Sequence, residues 1–205
     1  MHFDFNALPA QTVYNILTST VTPRPIAWVT TVSGKGVVNA APFSFFNVMG
    51  HQPPTVAIGL MRHAGGEFKD TGANIIENGE FVVNLVPESL VREMNQTCAD
   101  YPADVDEMAA AGLTALPATH VRPPRIQGSP VSLECVSQAT VVTGPRQIVV
   151  IGRVLGAHVE DAYVRDAERG HVDTPALGLI ARMHGGGWYA RSTDTFQLAR
   201  PTSPT

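Results

Sequence analysis

Residues 24–47, RPIAWVTTVSGKGVVNAAPFSFFN, decide the fold. Ile26 to Val32 is rich in β-branched and aromatic residues, and Ser33-Gly34-Lys35-Gly36 follows with turn chemistry. Val37-Val38-Asn39-Ala40 then returns as the second arm of a hairpin. Outward from this hairpin the pattern repeats. Thr55–Leu60 reads as a third strand, set off by Pro53-Pro54, which lack ladder donors, and Phe81–Val86 reads as a fourth. Beyond a Pro-rich connection at 117–130, Val131–Val142 and Gln147–Val154 resume the strand signal, the latter continuing into Gly156–Val159. Three helices are predicted between these strands. Within Lys69–Gly79, Asp70 suits an N-cap, Ile75 and Ile76 can face a core, and Gly79 suits the C′ position, giving about two turns. Glu88–Cys98 and Asp104–Ala111 are the other two. Strands outnumber helices and are read as short, so the predicted class is mainly β: a closed or partly closed barrel with peripheral helices.

Composition narrows the function classes. At 205 residues the chain fits one domain, here 1–205 with a core over about 14–191 and a loose tail at Ala199–Thr205. A hydrophobic content of 44%, with no low-complexity tract, argues against fibrous and disordered proteins. The net charge of −4 argues against a nucleic-acid binder, which needs a basic stripe. The N-terminus lacks a basic region followed by an apolar run, and no stretch approaches the roughly 20 apolar residues of a membrane span. A cytoplasmic location is expected, with Cys98 and Cys135 as buried free thiols. Gly and Pro together make up 34 of the 205 residues, an excess that predicts many turns and disfavours a helical bundle.

Side-chain catalysis finds little support. Ser44 lacks the small neighbours of a nucleophile elbow, and the seven histidines show no metal-ligand spacing. Gly185-Gly186-Gly187 lacks the spacing of a phosphate loop, and no G-x-G-x-x-G occurs, so a redox enzyme built on this chain holds its cofactor without a Rossmann domain. Three segments instead suit an anionic, aromatic ligand. Arg24–Trp28 places a guanidinium at a strand entry, with the hydroxyls of Thr30 and Thr31 just beyond. Asn39–Asn47 mixes small, aromatic and amide residues suited to a flat ring with polar edges. Lys69-Asp70-Thr71 opens a helix, where free N–H groups attract phosphate. Asp70 would repel an anion, so capping is its expected task, leaving Lys69, Thr71 and the backbone to face it.

Taken in order, Arg24–Thr31, Asn39–Phe46, Lys69–Ile75, Gly79–Asn84 and His184–Tyr189 resemble the flavin reductase-like family of FMN-binding split β-barrels. That family includes flavoredoxin-like proteins and reductase components of two-component monooxygenases, such as nitrilotriacetate monooxygenase component B. The resemblance implies a homodimer of six-stranded split barrels binding FMN, rather than FAD, near the subunit interface. It implies that Arg24, Pro25, Ile26, Ala27, Thr30 and Thr31 line the ring and ribityl side. Ser44, Phe45 and Asn47 would approach the ring edge and phosphate, Lys69 and Thr71 would hold the phosphate, and Tyr189 would close the site. The implied activity is NAD(P)H-dependent flavin reduction. Hydride passes to flavin N5 and electrons go on to oxygen, free flavin or a partner monooxygenase, with no catalytic side chain. An FMN-binding electron carrier or redox sensor without nicotinamide activity is the alternative. A pyridoxamine-phosphate-oxidase-like enzyme ranks lower, because the basic residues are dispersed. The insert at Glu88–Ala111 and the Pro-rich stretch add length that could cover the flavin and hold it as a prosthetic group.

Overall fold

The hairpin forms as read. β1 (Ala27–Val32) turns through Ser33–Gly36 into β2 (Val38–Phe43), with Ser33 N–H donating to Val37 O at 2.9 Å and Gly36 at φ +82°. The structure, a computed structural model, describes residues 1–63 and 65–200. The tail expected at Ala199–Thr205 lies largely outside the described residues; Ala199 and Arg200 are exposed and irregular.

Five more strands complete the main sheet: β3 (Phe46–His51), β4 (Pro54–Met61), β5 (Glu80–Leu85), β6 (Val131–Gly144) and β7 (Gln147–Val159). Their spatial order is β2-β1-β5-β6-β7-β4-β3, and every neighbouring pair is antiparallel. The two edge strands, β2 and β3, follow one another in the chain with only Ser44 and Phe45 between them. Two residues reach at most about 7 Å, so the sheet must curl until its edges meet at one corner, which makes it a split barrel.

The sheet has seven strands where six were implied, the addition being β3, whose first residues read as a ligand loop. Val48 and Met49 are apolar yet exposed on this edge, so β3 shows no alternation to mark it. Nor are all strands short. β6 and β7 run 14 and 13 residues, and register shifts at Ile151/Gly152 and Val154/Gly156 bend their pairing. Gly152 is required at the first shift, since a Cβ there would lie 2.4 Å from Phe81 Cζ.

β1 is buried on both faces, and its alternation separates two cores. Ala27 and Val29 point into the barrel with Ile58, Phe81 and Val150. Trp28 points outward into a second cluster with Met94, Met108, Ile126 and Ile180. That outer layer is the insert, comprising a 3₁₀ turn at Glu88–Leu90, α3 (Val91–Gln96) and α4 (Glu107–Ala110), preceded in the chain by α1 (Ala10–Thr20) and α2 (Asp70–Asn78). Two buried polar groups hold this side of the sheet, one reaching the insert and the other the 117–130 connection. Trp28 Nε1 donates to Thr97 Oγ1 at 3.0 Å, and Asn84 donates to Trp28 O while accepting from Ile126 N and Ser132 Oγ. A three-stranded ribbon of Arg24–Pro25, Ile180–Arg182 and Tyr189–Arg191 lies apart from the main sheet.

α2 begins one residue earlier than its cap predicts: Asp70 is its first helical residue, and Lys69 occupies the N-cap position without a side-chain cap bond. Gly79 ends it in the left-handed region at φ +74°, as its C′ placement requires. Cys135 is buried, but Cys98 is exposed, because it follows the last turn of α3 at the edge of the insert. Among the described residues no helix is long and apolar enough to cross a membrane.

Candidate functional site

The seam between the barrel's two edges organises the site. Gly59 N–H on β4 donates to Phe45 O at 2.7 Å, and a Cβ at Gly59 would come within 3.0 Å of Phe45 Cβ, so the absent side chain lets Phe45 settle on the strand. Tyr14 of α1 meets Phe45 at a ring-centroid distance of 6.3 Å. Above this aromatic floor opens a cleft of about 490 Å³, whose polar wall is Arg62, His63, Lys69 and Arg146. Among the described residues no carboxylate lines it. Arg62 N–H donates to Arg146 O at 2.9 Å, which brings the end of β4 to the β6–β7 turn. The Arg62 guanidinium lies 4.0 Å from the Phe68 ring centroid, and its buried Nε has no hydrogen-bond partner among the described residues.

Two bays adjoin this cleft. The first, about 200 Å³, shares Phe43, His63 and Lys69 and adds Asp100, Cys98 and Glu107 from the insert. The second, about 530 Å³, lies beyond Ser44 and Phe45 and is mainly apolar, with Leu17, Met49 and Val149 in its wall. At the first bay the opening turn of α2 carries amide N–H groups that no side chain caps. Lys69 Nζ contacts Asp100 at 3.1 Å, with both side chains well exposed. Such a pair contributes about 0–1 kcal/mol, so Lys69 can exchange Asp100 for another anion at little cost.

The residues singled out in the sequence separate into groups. Ser44, Phe45 and Lys69 line the main cleft. Arg24, Pro25 and Asn47 line the apolar bay with Ser44 and Phe45. Thr71 lines the smaller bay, but its hydroxyl accepts from Asn39 Nδ2 at 2.8 Å and the residue is buried. Thr30 and Thr31 are fully buried: Thr30 donates to Pro124 O, and Thr31 accepts from Asn74 Nδ2 at 2.9 Å. Ala27 belongs to the barrel core and Ile26 to the outer core. Tyr189 packs against the outer core, with Arg182 4.9 Å from its ring centroid, and lines none of the three seam cavities.

Arg24 is buried and its donors are used within the protein. Nη1 donates to Thr18 O (2.8 Å) and Val21 O (2.7 Å), and Nη2 to Met183 O (2.8 Å). Its Nε reaches Ser44 Oγ at 3.4 Å, so it braces the seam from behind and ties the end of α1 to the ribbon. Burial lowers the affinity of this guanidinium for its proton; Tyr14 opposes that effect and Arg182 adds to it.

Besides His63, which joins the polar wall, four site residues escaped the sequence reading. Tyr14, Arg62 and Arg146 come from three distant parts of the chain, and only Arg62, in the Met61-Arg62-His63 run at a strand end, gave a local hint. The fourth is Glu107, whose carboxyl is held up to about 7 by burial. The Ala40 amide opposes that shift, Asp70 and Asp106 reinforce it, and Lys69 opposes it weakly.

A sheet curled until its edges meet, with a cation-lined cleft along the seam, defines a ligand-holding split barrel. The model of the flavin reductase like domain matches residues 19–174, and the chain belongs to that family. A Deinococcus radiodurans protein described as uncharacterized is 44% identical over 205 residues, covering 98% of this chain and 90% of that one. The crystal structure of nitrilotriacetate monooxygenase component B from Bacillus cereus superposes with a TM-score of 0.91 at 33% identity, covering 97% of this chain and 98% of that one. Pseudomonas fluorescens 2-nitrobenzoate 2-nitroreductase NbaA does so at 0.90 and 32%, covering 100% and 99%.

Proposed function

We propose that this chain is a flavin-dependent oxidoreductase that holds FMN noncovalently in the seam cleft. It takes hydride from NAD(P)H and passes electrons to oxygen, free flavin, a partner monooxygenase or another small acceptor. The observation that carries this reading is the cationic wall of Arg62, Lys69 and Arg146 over the Tyr14–Phe45 floor, beside the uncapped start of α2. The fit is chemical as well as spatial. Arg62 Nε, buried without a partner among the described residues, suits a phosphate oxygen, and one cluster of cations serves one phosphate, as in FMN, better than the pyrophosphate of FAD. A cleft of about 490 Å³ lies within the range of cofactor pockets.

A bound flavin supplies the hydride and electron chemistry. The protein's residues bind and orient. Arg62, Lys69 and the α2 amides hold the phosphate, Arg146 closes the cationic wall, and Phe45 with the Ser44 backbone positions the ring edge. Thr30, Thr31, Ala27 and Ile26 act one layer back, fixing β1 and α2 so that these groups keep their spacing. Asn47 and Arg24 shape the apolar bay. The exposed apolar residues Leu17, Val21, Val48 and Met49 lie on or beside α1 and β3, and a second copy of the chain covers them in the proposed homodimer.

The test is direct. Purified protein should carry a flavin spectrum that survives gel filtration, and anaerobic NADH or NADPH should bleach it within the time of turnover. Oxygen, free FMN and 2-nitrobenzoate then serve as separate acceptor arms. Bound flavin that neither nicotinamide bleaches identifies an electron carrier instead, and a protein that binds no flavin refutes the proposal.

A further inference from the structure

Glu107 lies in the first turn of α4, and its Oε2 accepts the Ala40 N–H on edge strand β2 at 2.7 Å. The residue is 7% exposed. It shares the smaller bay with Lys69, Asp70 and Thr71, where the proposed phosphate subsite begins. The charged groups acting on it are Asp70 on α2, Asp106 at the N-cap of α4, and Lys69. His63, Cys98, Asp100 and Tyr101 complete the titratable groups of the bay.

Capping the edge strand does not explain a carboxyl here, since a glutamine oxygen would accept the Ala40 N–H equally well. A carboxylate at this point feels the charges of Asp70 and Asp106, and among the described residues the cation acting on it is Lys69, which also holds Asp100 in an exposed pair. A phosphate dianion at the start of α2 would crowd the same bay with further negative charge.

We infer that Glu107 is a proton-coupled wall of the phosphate subsite: the cleft takes up a phosphate ester together with a proton on Glu107. This inference rests on the flavin-binding reading above and specifies how that site manages charge. Near neutrality Glu107 is already divided between its two forms, so a nearby anion shifts the balance rather than creating it. By reciprocity, a protonated Glu107 raises affinity for the anion by the same factor that the anion raises affinity for the proton. Glu107 is thus a positioning residue that acts through the bay's charge.

The test titrates FMN and riboflavin into the flavin-free protein between pH 7.0 and 8.5, where the phosphate, with a second pKa of about 6, stays dianionic. FMN affinity should fall about fivefold or more across this range, a modest coupling by the usual scale. Riboflavin, which lacks the phosphate, should show no such fall, and Glu107→Gln should make FMN binding flat. Calorimetry of the unaltered protein in two buffers of different ionisation heat should show uptake of a fraction of a proton per FMN. That measurement decides the question even if Glu107→Gln fails to fold. FMN binding that is flat with pH and takes up no proton overturns the inference while leaving the flavin site standing. A pH dependence retained in Glu107→Gln belongs to another group and also overturns it. Failure of both flavins to bind at any pH removes the functional reading itself and this inference with it.

Discussion

Arg24 and Arg62 divide structure from proposed binding between two arginines of one site. Arg24 gives its N–H groups to three backbone carbonyls, so Arg24→Ala leaves acceptors at the end of α1 and in the ribbon without their donor. The expected loss is on the order of 3 kcal/mol of stability, measured by urea unfolding with FMN absent. Arg62 lines the cleft, stacks on Phe68 and keeps one donor without a partner among the described residues. Arg62→Ala should leave the unfolding midpoint nearly unchanged and weaken FMN about tenfold or more, read by fluorescence quenching. From sequence, Arg24 presents the better ligand, because proline fixes the backbone beside it. Its true partners are carbonyls from Thr18, Val21 and Met183, and the last is contributed from 159 positions away. Thr30 and Thr31 mislead for the same reason: a strand shows that hydroxyls alternate, but covering on both faces is a tertiary fact.

At the scale of elements, the sequence marks those with strong punctuation. β1, β2 and α2 are legible because turn glycines and β-branched runs bound them, and Gly79 sits at positive φ as its helix-stop reading requires. α1 is not legible: it starts after Pro9 without a side-chain cap, buries only Thr18, and depends on Arg24 at its far end. β3 escapes because two of its exposed residues, Val48 and Met49, are apolar and break the alternation that would mark a strand. Two glycines give tests here. Gly79→Ala forces a Cβ into the left-handed region and should cost about 1 kcal/mol in thermal unfolding, with flavin affinity unchanged. Gly59→Ala presses on Phe45 from 3.0 Å and should weaken flavin binding several-fold, with the larger effect on affinity rather than stability.

For the whole molecule, pH and assembly are the informative variables. The Glu107 carboxyl is raised from 4.5 to about 7 by burial and by its acidic neighbours. In this window the folded chain holds a proton that the unfolded chain has released, so this group's contribution to stability falls as pH rises from 4.5 through 7. The unfolding midpoint of Glu107→Gln should therefore decline less than that of the unaltered protein over the same window. The exposed Val48 and Met49 make a second whole-molecule prediction: sedimentation should give a dimer, and Met49→Asp should shift it toward monomer. What the sequence could not show at this scale is that the binding segments meet at one corner, since β2 and β3 stand at opposite ends of the strand order yet adjoin in the chain.

That two-residue join acts as a clasp. Most loops on a protein accept an inserted residue with small entropic cost. Ser44-Phe45 cannot, because its length sets the gap between the two edges and holds Phe45 against Gly59. One added glycine would let the corner spring apart, exposing unpaired strand edges while misplacing the ring floor. Solubility and cofactor retention would then fail together, and length variation in chains of this design is expected to accumulate in exposed loops rather than at this join.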